Sequence, residues 1–536
     1  MREKHYNMKI LLNDEIRELN ITDGKSLSEI LRENGIYLSS PCNGTGRCGK
    51  CRIRITEGEI PASPADLRIL SENEINAGVR LACQIKSDFN ATAQIINNEE
   101  NMNVLGESEA YDADKGRHKM PDGSISDVSV PDGSLGFGIA IDIGTTTLAA
   151  ALIDILSGRT IASALGINHQ RSFGADVISR IQASNDGAGE QLKALIQNDL
   201  KQLISDLAER SGINPDKTEQ IVIAGNTTMG HLLMGYPCSS LGVYPFTPYN
   251  IGKIEGSAEE ILGIAGAKTK VTILPGISTY VGGDITAGLL SLGAFKSDKP
   301  IALIDLGTNG EMALGNKEKI LVTSAAAGPA FEGGNISCGM GSVPGAVCGV
   351  TIRGEEAILN TIDGKPPIGL CGTGVVELTG EMLANGLIDE TGLLDEDYED
   401  EGYPFAITDN GEELFFTQKD VREIQLAKAA VRAGFETLLL RYGVTCDDLD
   451  SVYVAGGFGY FLDTKKAALI GLFPPKALPK LKAIGNSSLR GAVDYMIVPK
   501  GDEMLCNIIG VSEEIALSTD KDFNEIYVNS MMFTEE

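Results

Sequence analysis

Basic residues are scarce in this 536-residue chain: 45 Lys and Arg stand against 74 Asp and Glu, a formal net charge of -29. So acidic a surface repels polyanions, which argues against nucleic acid and anionic membranes as partners. A long uncharged apolar run is missing too. The longest apolar stretch, Phe137 to Leu156, is broken by Asp142, Asp154 and a Gly-Thr-Thr-Thr turn. Charges are costly inside a spanning helix, so the stretch reads as a buried β-hairpin. Met1-Arg2-Glu3-Lys4-His5 offers no apolar signal core and no small-residue cleavage site, so the chain is expected to be cytoplasmic. Ten cysteines are too sparse for a disulfide scaffold. No Gly-x-x-x-x-Gly-Lys-Ser/Thr occurs, which excludes a P-loop enzyme. What is present is ordinary for a globular protein, with 43% hydrophobic and 22% charged residues. The length suits roughly three or four domain-sized units.

Four of the cysteines crowd into the first 83 residues. Met8 to Leu12 and Glu15 to Ile21 alternate around Asn13-Asp14 and read as a β-hairpin. Ser26-Leu27-Ser28-Glu29 is a capping box opening a helix that Gly35 closes. Pro41-Cys42-Asn43-Gly44-Thr45-Gly46-Arg47-Cys48-Gly49-Lys50-Cys51 follows, then a strand from Arg52 to Thr56. A short helix near Asp66 to Asn76 leads to Val79-Arg80-Leu81-Ala82-Cys83-Gln84-Ile85. The spacing Cys42-x5-Cys48-x2-Cys51 with a distant Cys83 suits a binuclear iron–sulfur cluster, three thiolates from one loop and a fourth from a separate strand. Gly44, Gly46 and Gly49 let backbone N–H groups approach the sulfurs. Structural zinc is the alternative, but zinc sites usually present two close pairs and Cys83 has no paired cysteine. The segment resembles a β-grasp ferredoxin of the [2Fe-2S] type. Its first gap and its Leu-Ala-Cys-Gln sequence are more similar to the adrenodoxin subgroup than to plant-type ferredoxins.

Residues 96–135 are rich in Asn, Glu, Asp, Gly and Ser and carry Pro-Asp-Gly-Ser twice, at Pro121 and Pro131. Turn formers without apolar periodicity are expected to form a flexible linker. A coil of about 40 residues has an r.m.s. span of about 35 Å, enough for a tethered domain to reach two partners. A passive spacer would look the same.

From Gly136 onward the pattern changes to strands ending in tight turns. Ile139-Ala140-Ile141-Asp142-Ile143-Gly144-Thr145-Thr146-Thr147 is an apolar strand, an acidic residue and a Gly-Thr turn. Ile301-Ala302-Leu303-Ile304-Asp305-Leu306-Gly307-Thr308-Asn309-Gly310-Glu311 repeats the design, and Ile221-Val222-Ile223-Ala224-Gly225-Asn226 is echoed by Val452-Tyr453-Val454-Ala455-Gly456-Gly457. Such duplication implies two related lobes facing one another. Successive N–H groups in the Gly144 and Gly307 turns form anion-binding concavities. Thr145, Thr146, Thr308 and Asn309 add donors, and Asp142 and Asp305 stand at strand ends where carboxylates hold hydrated Mg2+. A strand-end aspartate before a glycine turn is usually structural, so one copy alone says little. A long helix from Thr417 to Tyr442 carries Arg422, Gln425 and Lys428, either beside a nucleotide or on a solvated face. His169 and His231 stand alone and read as structural.

Asp142-Ile143-Gly144-Thr145, Asp305-Leu306-Gly307-Thr308 and Val454-Ala455-Gly456-Gly457-Phe458-Gly459 resemble the phosphate-1, phosphate-2 and adenosine motifs of the actin, sugar-kinase and heat-shock-chaperone superfamily. The resemblance implies an RNase H-like, two-lobed ATPase body, with Gly456, Gly457 and Phe458 against adenosine. The expected architecture is α+β and α/β: a ferredoxin domain at 1–95, the linker at 96–135, and a body at 136–536 whose lobes divide near 298. A ferredoxin joined to such an ATPase resembles the reductive activators of corrinoid proteins. That resemblance implies ATP-driven reduction of cob(II)alamin to cob(I)alamin on the corrinoid protein of a methyltransferase system. It also implies a low-potential electron donor, and it admits a homodimer. Three rivals are a small-molecule kinase with a ferredoxin redox sensor, a radical-dehydratase activator, and a plain electron carrier.

Overall fold

Residues 7–12, 15–20, 25–34, 36, 38, 44–46, 49–86, 91–96, 136–354, 356–456 and 462–533 are described by the computed structural model. All of the proposed linker at 96–135 except its first residue lies outside them, as do the turn at Asn13-Asp14 and Gly35.

The N-terminal strands β1 (Asn7–Leu12), β2 (Glu15–Asn20), β3 (Arg52–Glu57), β4 (Val79–Leu81) and β5 (Ala91–Ile95) form a mixed sheet in the order β2-β1-β5-β3-β4. Strand β1 runs parallel to β5 and antiparallel to β2, with Leu12 paired to Glu15. The helix Leu27–Glu33 begins with the expected capping box, Ser26 and Glu29 bonding each other's backbone N–H. Its Leu27, Ile30 and Leu31 follow an i, i+3, i+4 spacing and are buried against Ile10, Ile53, Leu81 and Ala93. Each such side chain contributes about 1.5–3 kcal/mol on burial. The expected helix near Asp66 to Asn76 is in fact two, Asp66–Ile69 and Glu72–Asn76, because Leu70 is extended and Ser71 starts a second capping box with Glu74.

The body contains two six-stranded sheets. The first comprises β6 (Phe137–Ile143), β7 (Thr147–Asp154), β8 (Arg159–Ile167), β9 (Thr218–Gly225), β10 (Ile254–Ser257) and β11 (Lys270–Ile273), in the order β10-β11-β9-β6-β7-β8. In the second, β12 (Ile301–Leu306), β13 (Gly310–Gly315) and β14 (Ile320–Ala325) are joined by late strands of the chain. With β15 (Ala346–Arg353), β16 (Glu356–Thr361), β17 (Gly369–Leu370), β18 (Tyr403–Ile407) and β19 (Glu413–Phe416) placed in smaller sheets, those late strands are β20 (Val452–Ala455), β21 (Leu481–Gly485) and β22 (Ser512–Glu514). The order is β21-β20-β12-β13-β14-β22. An antiparallel meander of three strands with a parallel strand beside its first member therefore recurs in both lobes, β9 beside β6 and β20 beside β12. The register recurs as well: Asp142 lies opposite Ala224 on parallel β9, and Asp305 opposite Ala455 on parallel β20. The hairpin expected over Phe137 to Leu156 is β6 and β7, with Asp142 paired to Ala149.

The N-terminal domain touches the body. Arg32 reaches Ser172 and Phe173 of the first lobe, and the charge of Lys50 is felt at the Cys338 thiol of the second. Among the described residues no helix is long and apolar enough to cross a membrane.

Candidate functional site

Strand pairing sets up the cysteine end. Arg52 pairs with Leu81 across β3 and β4, and the Ala82 N–H donates to the Cys51 carbonyl at 2.9 Å. Cys51 and Cys83, which flank this pair, are thus held on adjacent segments, 1% and 8% exposed. The Gln84 amide ties the cysteine loop to the strand end, donating to the Gly44 carbonyl at 3.0 Å and to the Cys83 sulfur at 3.4 Å. Gly46, at φ 70°, leaves no room for more: a Cβ there would lie 2.8 Å from that amide. Two desolvated thiols beside a loop pressed this close fit an iron–sulfur cluster, whose sulfurs accept hydrogen bonds from such a loop. Cys42 and Cys48 lie outside the described residues.

The second centre is the cleft between the lobes. The Gly144 N–H donates to the Thr147 carbonyl at 3.0 Å, and a Cβ on Gly144 would stand 2.6 Å from that oxygen, so only glycine closes this turn. Asn168 braces it, donating to the Gly144 carbonyl at 2.9 Å and, through its backbone, to the Thr146 carbonyl at 3.0 Å. Arg180 bonds the Thr145 carbonyl, while Asn226 donates to the Thr145 hydroxyl at 3.1 Å. In the second lobe the Gly307 N–H donates to the Asn309 carbonyl at 3.0 Å. Gly310 follows in the β13 ladder and faces Val431 of the long helix. Gly456, at φ 96°, packs on this turn: a Cβ there would lie 2.4 Å from the Leu306 carbonyl and 3.0 Å from Asp305 Oδ1. Gly457 and Phe458 lie outside the described residues.

Around these turns the structure gathers carboxylates that no single motif contains. Asp142 accepts from Asn486 at 2.8 Å and from Ser488 at 2.6 Å. Desolvation raises its pKa in spite of those donors. Asp284 opens the helix Gly283–Ser291, and desolvation followed by the charge of Asp142 pushes it up to about 7. Glu311, opposite Asp305 in the β12–β13 pair, is pushed well up by desolvation, then by Asp284 and Asp305. Glu332 accepts from the Thr146 hydroxyl at 3.2 Å and the Thr308 hydroxyl at 2.9 Å. Mutually repelling carboxylates in a desolvated cleft favour a nearby cation; among the described residues no three of them are placed to bind one ion directly, so these donors suit a Mg2+ that keeps its water shell.

Sequence reasoning named Asp142 and Asp305 as the carboxylates of the site; Asp284, Glu311 and Glu332 join them only in the folded chain, as do Asn486 and Ser488. An aspartate in the first turn of a glycine-led helix was a visible cue for Asp284. No local pattern marks the others. The long helix also differs from expectation. Gln418–Tyr442 has the Thr417–Asp420 capping box, yet Gln425 and Lys428 hold the segment at 530–531 and Arg422 the loop at Thr391. Gln425 donates to the Met531 carbonyl at 2.9 Å, Lys428 to Ser530 at 2.8 Å and Arg422 to Thr391 at 2.9 Å. His169 is tied to Asp199, and His231 to the Thr227 carbonyl and the Tyr249 N–H.

Comparison with known proteins matches three successive segments. Residues 10–88 fit the 2Fe-2S iron-sulfur cluster binding domain, 137–297 the RACo middle region, and 299–536 the C-terminal domain of RACo, the ASKHA domain. The corrinoid activation enzyme RamQ of Eubacterium limosum is 30% identical, over 98% of this chain and 99% of that one. The chain belongs to the RACo family. The [Co(II) methylated amine-specific corrinoid protein] reductase of Methanosarcina barkeri is 27% identical over 74% of this chain and 77% of its own. A solved structure of a reductive activator for corrinoid,iron-sulfur protein is 29% identical and covers 98% of both chains at a TM-score of 0.69. The RACo-family body is thus an actin/sugar-kinase-type ATPase fold behind a [2Fe-2S] ferredoxin domain.

Proposed function

We propose that this chain reductively activates a corrinoid protein of a methyltransferase system, passing one electron to cob(II)alamin at the expense of ATP. The observation that carries the reading is the contact between its two modules: Arg32, from the cysteine-bearing domain, rests on Ser172 and Phe173, and Asn168 of that same segment braces the Gly144 turn. The names and full-length coverage of the relatives support it.

Cys42, Cys48, Cys51 and Cys83 would hold the [2Fe-2S] cluster, which supplies a one-electron carrier. Gly144, Thr145 and Thr146 on one side, and Gly307, Thr308, Asn309 and Gly310 on the other, would wrap the phosphates of ATP. Gly456, Gly457 and Phe458 would take adenosine, and Asp142 and Asp305 would hold the hydrated Mg2+ with Asp284 and Glu311 beside them. Reduction of cob(II)alamin by such a cluster runs uphill. A lobe closure that turns a 1:99 equilibrium into 99:1 requires about 5.5 kcal/mol, equivalent to roughly 240 mV at about 2.3 kcal/mol per 100 mV. Closure on ATP supplies this if it favours one ligation state of the docked corrinoid over the other.

The domain limits at 95, 135 and 298, a low-potential electron donor, a cytoplasmic setting and a homodimer belong to the same reading. Sedimentation velocity decides the last. The deciding experiment is anaerobic incubation with MgATP, a reductant and a cob(II)alamin-loaded corrinoid protein. The cob(I)alamin absorption band is expected to appear, and to be absent with Asp305→Asn or Cys83→Ala. ATP-dependent phosphorylation of a small hydroxyl compound, with no response to any corrinoid protein, would replace this reading with a kinase.

A further inference from the structure

Glu332 is set apart from the other carboxylates of the cleft by what holds it. Its Oε2 accepts two hydroxyls, Thr146 at 3.2 Å from the turn of the first lobe and Thr308 at 2.9 Å from the turn of the second. Its Oε1 lies 3.7 Å from where a Cβ on Gly307 would stand, directed toward the second turn. Asp142, by contrast, has both oxygens engaged, by Asn486 and by Ser488. Asp284 accepts the Ile285 N–H at 2.8 Å, and Glu311 faces the charges of Asp284 and Asp305. The backbone beneath Glu332 is stiff. It ends the single turn Pro329–Glu332, bounded by Gly328 and Gly333, both at φ 76°, and a Cβ on Gly333 would lie 2.5 Å from the Met340 carbonyl. The positive charges of Arg171 and Arg180 act on it from the segment that braces the first turn.

We propose that Glu332 is the residue that aligns and deprotonates the water that hydrolyses ATP, and that it is correctly seated only when the two lobes are together. The assignment rests on the nucleotide reading given above. A carboxylate with one oxygen pinned by two donors has lost its rotational freedom and presents the other oxygen in a defined direction, which general-base catalysis requires. In the step, the water oxygen forms a bond to the γ-phosphorus as the bond from that phosphorus to the β–γ bridging oxygen breaks. The electron pair leaves with ADP, and the water proton passes to Glu332 Oε1. Because Thr146 and Thr308 come from opposite lobes, an open cleft holds ATP without hydrolysing it. Hydrolysis is thereby tied to the closed arrangement that drives electron transfer.

The test uses the full chain with Glu332→Gln, whose amide oxygen still accepts both hydroxyls, and with Glu332→Asp. MgATP affinity is measured by displacement of a fluorescent nucleotide, and hydrolysis by single turnover. Glu332→Gln is expected to lose at least about 100-fold in the hydrolysis rate, with the Kd for MgATP within about threefold of wild type. Glu332→Asp should fall between the two in rate. Hydrolysis by Glu332→Gln within about threefold of wild type overturns the proposal. So does a Kd weakened more than about tenfold, or Glu332→Asp as inactive as Glu332→Gln, since either marks a binding or bracing role. A wild-type chain that fails to bind MgATP at all overturns the nucleotide reading and this assignment with it.

Discussion

The Arg32 guanidinium lies 3.7 Å from the centroid of the Phe173 ring and donates to the Ser172 carbonyl at 3.1 Å, joining the cysteine-bearing domain to the ATPase body. Phe173 is 4% exposed and Ser172 5%, so the cation sits on a fixed floor and not on a mobile surface chain. Four residues earlier than Ser172, Asn168 bonds the Gly144 carbonyl. A change in the turn at Gly144 is thus one short segment away from the cysteine-bearing domain.

Arg32→Ala should loosen this joint while leaving each module intact. A cation–π contact with a hydrogen bond contributes about 1–3 kcal/mol at a partly desolvated site. Amide hydrogen exchange across 168–174 is expected to rise, with iron content and MgATP affinity unchanged. ATP-driven reduction of the corrinoid partner should slow. Unchanged exchange would mean that the contact does not hold the domains together in solution.

The cluster assignment makes a quantitative demand. Purified without oxygen, the chain should contain about two irons and two sulfides. Cys51→Ala and Cys83→Ala should each abolish the visible absorption of the cluster and leave MgATP binding in place, because neither touches the cleft. Tightly bound zinc without visible absorption would restore the structural-metal alternative.

Asp284 sets a pH dependence with a definite sign. Its pKa in the folded chain, about 7, exceeds that of an unfolded aspartate. The folded state therefore binds the extra proton, and this stabilisation is fully present below about pH 4 and lost as pH rises through about 7. In Mg2+-free buffer, Asp284→Asn should be more stable than wild type at pH 8, on the order of 2–4 kcal/mol, with the difference shrinking to about 1–2 kcal/mol at pH 5 and vanishing below about pH 4. Added Mg2+ should stabilise wild type more than the variant. Thermal denaturation at the two pH values, with and without Mg2+, checks both statements.

Gly456 offers a packing test. At φ 96° and with a Cβ only 2.4 Å from the Leu306 carbonyl, Gly456→Ala strains the backbone and pushes on the second phosphate turn. A loss of about 1–3 kcal/mol in stability is expected, with MgATP binding weakened and the cluster spectrum unchanged. Equilibrium denaturation and nucleotide titration measure the two effects separately.

The parts of this protein written in contiguous residues were readable from the chain alone. The spacing of Cys42, Cys48, Cys51 and Cys83 points to the 2Fe-2S domain that residues 10–88 match, and the turns after Asp142 and Asp305 point to the hairpins that recur in the two lobes. The capping boxes at Ser26 and Thr417 mark helix starts. In each case the chemistry lies within a few bonds, where backbone geometry and residue type decide the outcome. Tertiary structure alone decided the rest. Lys428 and Gln425 look like a solvated or nucleotide-facing stripe, yet they hold the carbonyls of Ser530 and Met531, more than a hundred positions on. Asp142 finds its donors in Asn486 and Ser488, and Glu332 acquires its meaning from two threonines on opposite lobes. Periodicity and spacing report how a segment meets its own neighbours. Which distant carboxylates share one desolvated cleft depends on how two sheets pack, and there the cost of burying charge selects the partners.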